Sequence, residues 1–345
     1  MKVIACGWEH TLLVDRNFTA FAFGKGHWNQ LGLGVELATP TQIPNIPSIV
    51  WVFATETVSL FVDVDGCIWG CGLGVTNNDA PGKLFSNLPK IMSVSAGTHH
   101  LLMLDEEGSV WARGNNRYGQ LGVNHERFPN VTDPVKLVLP KIQSIHAGHK
   151  RSLFLDETGS VWGCGKNKYG ELGTNALATH NLGQLGNLPA IQDISLAKSF
   201  VIFLDVDGKL WGSGLNKHGE LGLGHSHPVP EPEQLEKIPA MQAVSVSLYH
   251  SLFLDIRGRA WGCGLNGFGQ LGPSLKLLSL PHTSPIKISG LPKLHSIYAG
   301  TNYSMFVDLE GKVWACGNNS YGQLGIPIRK ISMRVSRRKL NSLSH

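Results

Sequence analysis

The chain is short of the features that mark an enzyme, a membrane protein or a secreted scaffold. Its six cysteines include no Cys-x-x-Cys pair, which argues against a structural zinc site. Cys71, Cys164, Cys263 and Cys316 each stand two residues after a tryptophan. They mark one recurring slot and read as small buried hydrophobes in a reducing compartment, not as a disulfide framework. The most apolar window, residues 48–64, is broken by Thr55, Glu56 and Thr57, so no membrane span is expected. The opening MKVIACGWEHTLLVD sets Glu9 and His10 where a secretory signal needs an apolar segment. The expectation is a soluble intracellular protein, cytoplasmic and/or nuclear, and a monomer. Charged residues are 16% of the chain and aromatics 8%, yet no stretch stays poor in apolar residues, which excludes extended disorder.

Catalytic motifs are missing too. GCGLG at 70–74 imitates a nucleotide loop, but no helical pattern follows to bind a phosphate. DVDG at 63–66 and 205–208 opens like a calcium loop without the twelfth-position glutamate. No Ser-His-Asp or Cys-His set can be assembled, so no catalytic residue, cofactor or metal is called for. Whether the chain acts on a partner is left open.

What the chain has instead is repetition. VWGCGKNKYGELG at 161–173 recurs as VWARGNNRYGQLG at 110–122, LWGSGLNKHGELG at 210–222, AWGCGLNGFGQLG at 260–272 and VWACGNNSYGQLG at 313–325. The tryptophan slot is filled by Phe21, Trp69, Trp111, Trp162, Trp211, Trp261 and Trp314, at spacings of 42 to 53 residues. Six residues before each stands an aspartate, and in six of the seven units a glycine follows that aspartate by three. Asp-x-x-Gly between two apolar runs reads as a tight hairpin turn. In the unit at 142–165, IQSIHA alternates while SLFL is apolar throughout. A strand apolar on both sides must be covered on both sides. Four short strands per unit, the fourth from stretches such as 133–139, at a period near 50 residues predict an all-β, seven-bladed propeller of four-stranded antiparallel blades. In it each blade buries what its neighbour exposes.

The pattern Ala-Gly-x-x-His, SLFLD-x-x-G, VWGCG and N-x-Tyr-Gly-Gln-Leu-Gly resembles the regulator of chromosome condensation family over residues 1–325. The resemblance implies the same propeller. It implies a protein partner, with a Ran-type small GTPase among the candidates, and the alternative of guanine-nucleotide exchange on that GTPase. Other members of such a family are scaffolds, ubiquitin-ligase modules or sensors, so the fold is better specified than the function.

Two kinds of turn share one propeller face, the Gly-x-x-His turn and the Tyr-Gly-Gln-Leu-Gly loop. The last slot of the first kind holds His10, Val58, His100, Arg151, Phe200, His250 and Tyr303, read as hydrogen-bonded turn residues, not ligands. The two middle slots vary between units and are expected to be exposed and to read a partner: Trp8, Glu9, Glu56, Thr98, His99, His149, Lys150, Lys198, Ser199, Tyr249, Thr301 and Asn302. The resemblance sets His99 near the GTPase. Only Glu9 and Glu56 supply acid there, which counts against exchange. The second unit departs most, with CGLGVTNNDAPGKLF at 71–85, read either as drift or as a partner groove.

Residues 326–345 carry Arg329, Lys330, Arg334, Arg337, Arg338 and Lys339 with no acid, so the net charge of +5 sits in the tail. The expectation is part closing strand, over 330–336, and part free basic end that could contact chromatin or another acidic surface.

Overall fold

The computed structural model describes residues 4–75, 80–174, 178–272, 281–326 and 332–338. Among them the regular structure is entirely strand, in seven antiparallel sheets of four. Each sheet is one repeat: blades 1 to 7 occupy residues 4–42, 49–83, 91–136, 142–184, 191–234, 241–287 and 294–338. The innermost strand of each blade touches those of both neighbours, and the last, Leu294–Ala299, meets the first, Ile4–Cys6. These inner strands line a central channel of about 880 Å³.

The burial pattern follows the sequence pattern. The second strand of blade 4, Arg151–Asp156, is buried at every position, while its first, Ile142–Ala147, buries only Ile142 and Ile145, with a register slip between Ile142 and Ser144. Phe61, Phe154, Phe203, Phe253 and Phe306 are fully buried between blades. The repeated tryptophans are only partly buried and pack at the margins of these clusters. Their position explains the six-residue spacing. Each Trp Nε1 donates to Oδ2 of the aspartate six residues earlier, at 2.8–3.0 Å in blades 2 to 7. The other carboxylate oxygen accepts backbone N–H groups of the turn, as Asp156 Oδ1 does from Thr158 and Ser160. Burial raises the Asp156 and Asp255 pKa values, and these hydrogen bonds outweigh it, leaving both below the ordinary range.

Two expectations shift in detail. The fourth strand of blade 3 is Asn130–Lys136, not 133–139. Its register against Val110–Asn115 slips between Ala112 and Gly114, and Pro134 falls in that irregularity, where the missing N–H costs no ladder bond. At the other end of the chain, Ser332–Arg338 pairs with Val313–Gly317 as the outer strand of blade 7, two residues beyond the expected 330–336. Arg334, Arg337 and Arg338 belong to that strand; Arg329, Lys330 and Lys339 lie outside the described residues. Blade 2 keeps only Gly82–Lys83 as its fourth strand.

Candidate partner-binding face

The seven Gly-x-x-His-type turns converge on one mouth of the channel, around a cavity of about 210 Å³. Their two middle slots point in different directions. The first slot of each turn lines the mouth: Trp8, Glu56, Thr98, His149, Lys198, Leu248 and Thr301. The second slots Glu9, His99, Lys150, Ser199, Tyr249 and Asn302 lie outside that lining, and only Thr57 of the divergent blade 2 joins it. Backbone geometry enforces the split. The second-slot carbonyl accepts the N–H that follows the Gly-x-Gly strand end, as Lys166 N–H donates to Lys150 O at 2.9 Å. The chain can pass there because Gly165 has φ +109° and a Cβ would lie 2.5 Å from that carbonyl.

The last slot is structural, and its side chains join blades. His10, His100 and His250 are buried, each with Nε2 2.9–3.0 Å from a serine of the next blade: Ser59, Ser152 and Ser304. Each serine hydroxyl in turn donates to the carbonyl of Gln30, Gln120 or Gln270 in a Gln-Leu-Gly loop. With the hydroxyl proton committed, Nε2 carries the imidazole proton and donates. Burial depresses all three histidines to about 3, so they are neutral. Cys71, Cys164 and Cys316 point at the same three carbonyls and Cys263 at that of Glu220 in a Glu-Leu-Gly loop, at 3.2–3.6 Å. Burial pushes Cys71 and Cys316 up to about 12, which makes them inert thiols. Among the described residues no cluster of His, Cys, Asp and Glu could hold a metal ion.

The mouth is electrically uneven. Glu9 is tied to Lys25 at 2.6 Å, and Lys25 lies over the Tyr321 ring. Burial raises the Glu56 carboxyl, although Lys198 opposes the shift. Across blades 3 to 5 the character is basic. Thr98 Oγ1 bonds His149 Nδ1 between two turns. Burial and then Lys198, Lys150, Lys166 and Arg151 hold His149 down near 4. Arg151 fills a histidine slot as a cation 2% exposed, donating to the carbonyls of Ala197, Lys198 and Phe200.

Eleven of the twelve expected partner-reading residues are at least partly exposed on this face; Thr301 is not, at 9% exposure. It follows the mouth wall inward beside Gly300, whose turn closes over the buried Tyr303 ring.

Sequence reasoning missed an outer ring of aromatics. Trp28, Tyr118, Tyr169 and Phe268 are exposed two residues before the Gln or Glu of the Gln-Leu-Gly and Glu-Leu-Gly loops. They and their equivalents meet the next blade's second slot: Lys150 Nζ donates to Tyr118 OH at 3.2 Å, and Tyr249 packs edge-on to His218. The signal was visible in six of the seven units, an aromatic or His at a fixed place among otherwise structural residues.

Two sequence profiles described as the Regulator of chromosome condensation (RCC1) repeat match the chain. One covers residues 91–120, 142–171, 242–270 and 295–323, the other 107–155 and 207–254, together just over half of it. The Probable E3 ubiquitin-protein ligase HERC4 of Rattus norvegicus is 30% identical over 174 residues, 50% of this chain and 13% of that protein. The X-linked retinitis pigmentosa GTPase regulator homolog of Caenorhabditis elegans is 30% identical over 181 residues, 48% of this chain and 13% of that one. The chain therefore spans a small part of these relatives. Prp20p of Saccharomyces cerevisiae, whose structure was described with its binding to Gsp1p and histones, shares the fold at a TM-score of 0.82 and 23% identity, over 92% of this chain and 85% of that one.

Proposed function

The chain belongs to the regulator of chromosome condensation (RCC1) repeat family, and from that premise we propose that it is an interaction propeller that docks a protein partner on the mouth face, with a small GTPase or its regulator as the partner class. The observation that carries the reading is the contrast within each repeat. Residues that bond blade to blade recur, whereas the two middle slots of each turn differ from blade to blade and are mostly exposed. A varied, aromatic-rich and charged rim on a rigid frame suits recognition. Likeness to a GTPase regulator homolog, and to the fold of Prp20p, supports the choice of partner class.

Exchange on a Ran-type GTPase is the finer alternative, and the geometry works against it. Of the two acids in the turns, Glu9 is occupied by Lys25, and Glu56 faces Lys198, whose charge opposes its own. That leaves little negative charge to compete for a basic phosphate-binding surface. The basic C-terminal segment is a second contact in this reading, toward chromatin or another acidic surface.

The test is biolayer interferometry against a panel of purified small GTPases, Ran-type included, with nucleotide release followed in parallel. The combined variant Trp8→Ala, His99→Ala, Lys150→Ala and Tyr249→Ala should lower affinity at least about tenfold. A control set on the opposite turns, Glu107→Ala, Asp207→Ala and Arg257→Ala, should leave it unchanged. Binding that survives the first set and fails in the second would move the site to the other face.

A further inference from the structure

The near-neutral body of the chain hides a segregated charge. Lys198 of blade 5 lines the mouth, Lys150 and Lys166 of blade 4 stand just outside it, where all three act on His149, and Arg117, Lys168 and Lys217 flank the loops farther out. Among the described residues none of the six makes an ion pair. The carboxylates beneath them are not available. Glu171 and Glu220 are buried in their own loops and accept the backbone N–H of Tyr169 and His218 at 2.6 and 2.7 Å. Arg151 adds a buried cation bonded only to carbonyls, and its Nε has no partner. This arc surrounds a depression whose wall, inside the polar first-slot residues, includes the apolar side chains of Cys6, Ala54, Ala96, Ala147, Leu196 and Val246.

Resting on the docking face proposed above, we infer that the partner presents an acidic segment with one bulky apolar side chain, the apolar group entering the mouth while flanking carboxylates meet Lys150, Lys166 and Lys198. Unpaired cations held by a rigid frame steer an acidic chain and are not spent on internal pairs. Each such exposed pair is weak alone, so selectivity needs the central pocket. A nucleic-acid strand would satisfy the cations and stack on Tyr118 or Tyr249, but its charged backbone offers nothing to cover the apolar part of the mouth wall, Leu196 and Val246 among it. A protein segment satisfies both halves of the surface.

Fluorescence polarisation of the labelled peptide EEDFDEE on the full chain tests this, against EEDSDEE and oligo(dT). EEDFDEE should bind about tenfold more tightly than EEDSDEE. Lys150→Glu with Lys198→Glu should weaken it by about tenfold or more and flatten its salt dependence. Of the blade contacts these changes remove only the exposed Lys150–Tyr118 one, and an unaltered melting temperature verifies that the frame is intact. Equal affinity for the two peptides, indifference to the charge reversal, or stronger binding of oligo(dT) overturns the inference. The docking-face reading fails separately, when the mouth-face alanine set leaves GTPase binding untouched; charge reversal that spares peptide binding while that set still abolishes partner binding condemns the acidic segment alone.

Discussion

Phe18 shows how strongly a single position in the repeat is dictated by backbone shape. The equivalent turn residue in the other six blades is glycine with φ between +76° and +84°, and Phe18 adopts φ +60° in their place. Its side chain is 38% exposed, so little packing offsets the left-handed conformation. Phe18→Gly should raise unfolding free energy by roughly 1 kcal/mol, measured by urea titration; a loss of stability would mean that the ring contributes more than its exposure suggests. The neighbouring Phe21 makes the same point in reverse. It fills the tryptophan slot without an indole N–H, and Asp15 there keeps only the backbone half of its hydrogen bonds, from Asn17 and Thr19. The Asp–Trp spacing was legible as a regularity; the bond behind it required coordinates, because a six-residue separation says nothing of orientation across a hairpin.

At the scale of the element, blades are joined through His–Ser–carbonyl relays, and these make stability depend on pH. His250 is held neutral with its pKa near 3, between Ser247 and Ser304. Below the unfolded value of about 6.5, the unfolded chain takes up a proton that the folded one refuses. The stabilisation is therefore present above that value and is lost as pH falls toward 3, at about 1.4 kcal/mol per pH unit for each such histidine. His250→Phe copies the natural choice at Phe200 and removes the titration. It should cost about 1 kcal/mol at pH 7.5, from the lost hydrogen bond. Near pH 5 the difference should vanish or reverse. A gap between variant and wild type that is constant across that range would show that the imidazole is accessible to protons in the fold. The recurrence of His at one turn position foretold a hydrogen-bonded residue. It did not reveal a bridge to the next blade, whose partner lies about fifty residues away.

The whole molecule closes its ring by side chains instead of exchanging strands. The first and last blades are each built from one terminus, and the seam between them is packed by Ile4, Leu13, Phe23, Met305 and Leu324. Tyr303 OH donates to His10 O at 2.7 Å and lies 3.0 Å from Thr11 Oγ1. Gly322 abuts Ala38 so closely that a Cβ would lie 2.2 Å from its Cα, with φ +79°. Gly322→Ala should therefore pry the seam and cost about 3 kcal/mol or more. Gly267→Ala, in an equivalent loop where a Cβ meets nothing within 4 Å, should be nearly neutral. Comparable melting temperatures for the two variants would show that the closure does not carry the ring.

The sequence by itself determined the architecture. Seven copies of a strand pattern apolar on both faces have one economical solution, a circle in which each sheet covers the next, and the varying turn slots announced which face could discriminate. The tertiary structure alone decided how charge and shape are arranged on that face. It sends the first slot of each turn into the mouth and the second outward in every blade but the second, ties Glu9 to Lys25, draws Thr301 inward, and sets lysines from separate blades around one opening of mixed polar and apolar wall. Those relations join residues some fifty positions apart, and only the curvature of the closed ring brings them within reach of one another.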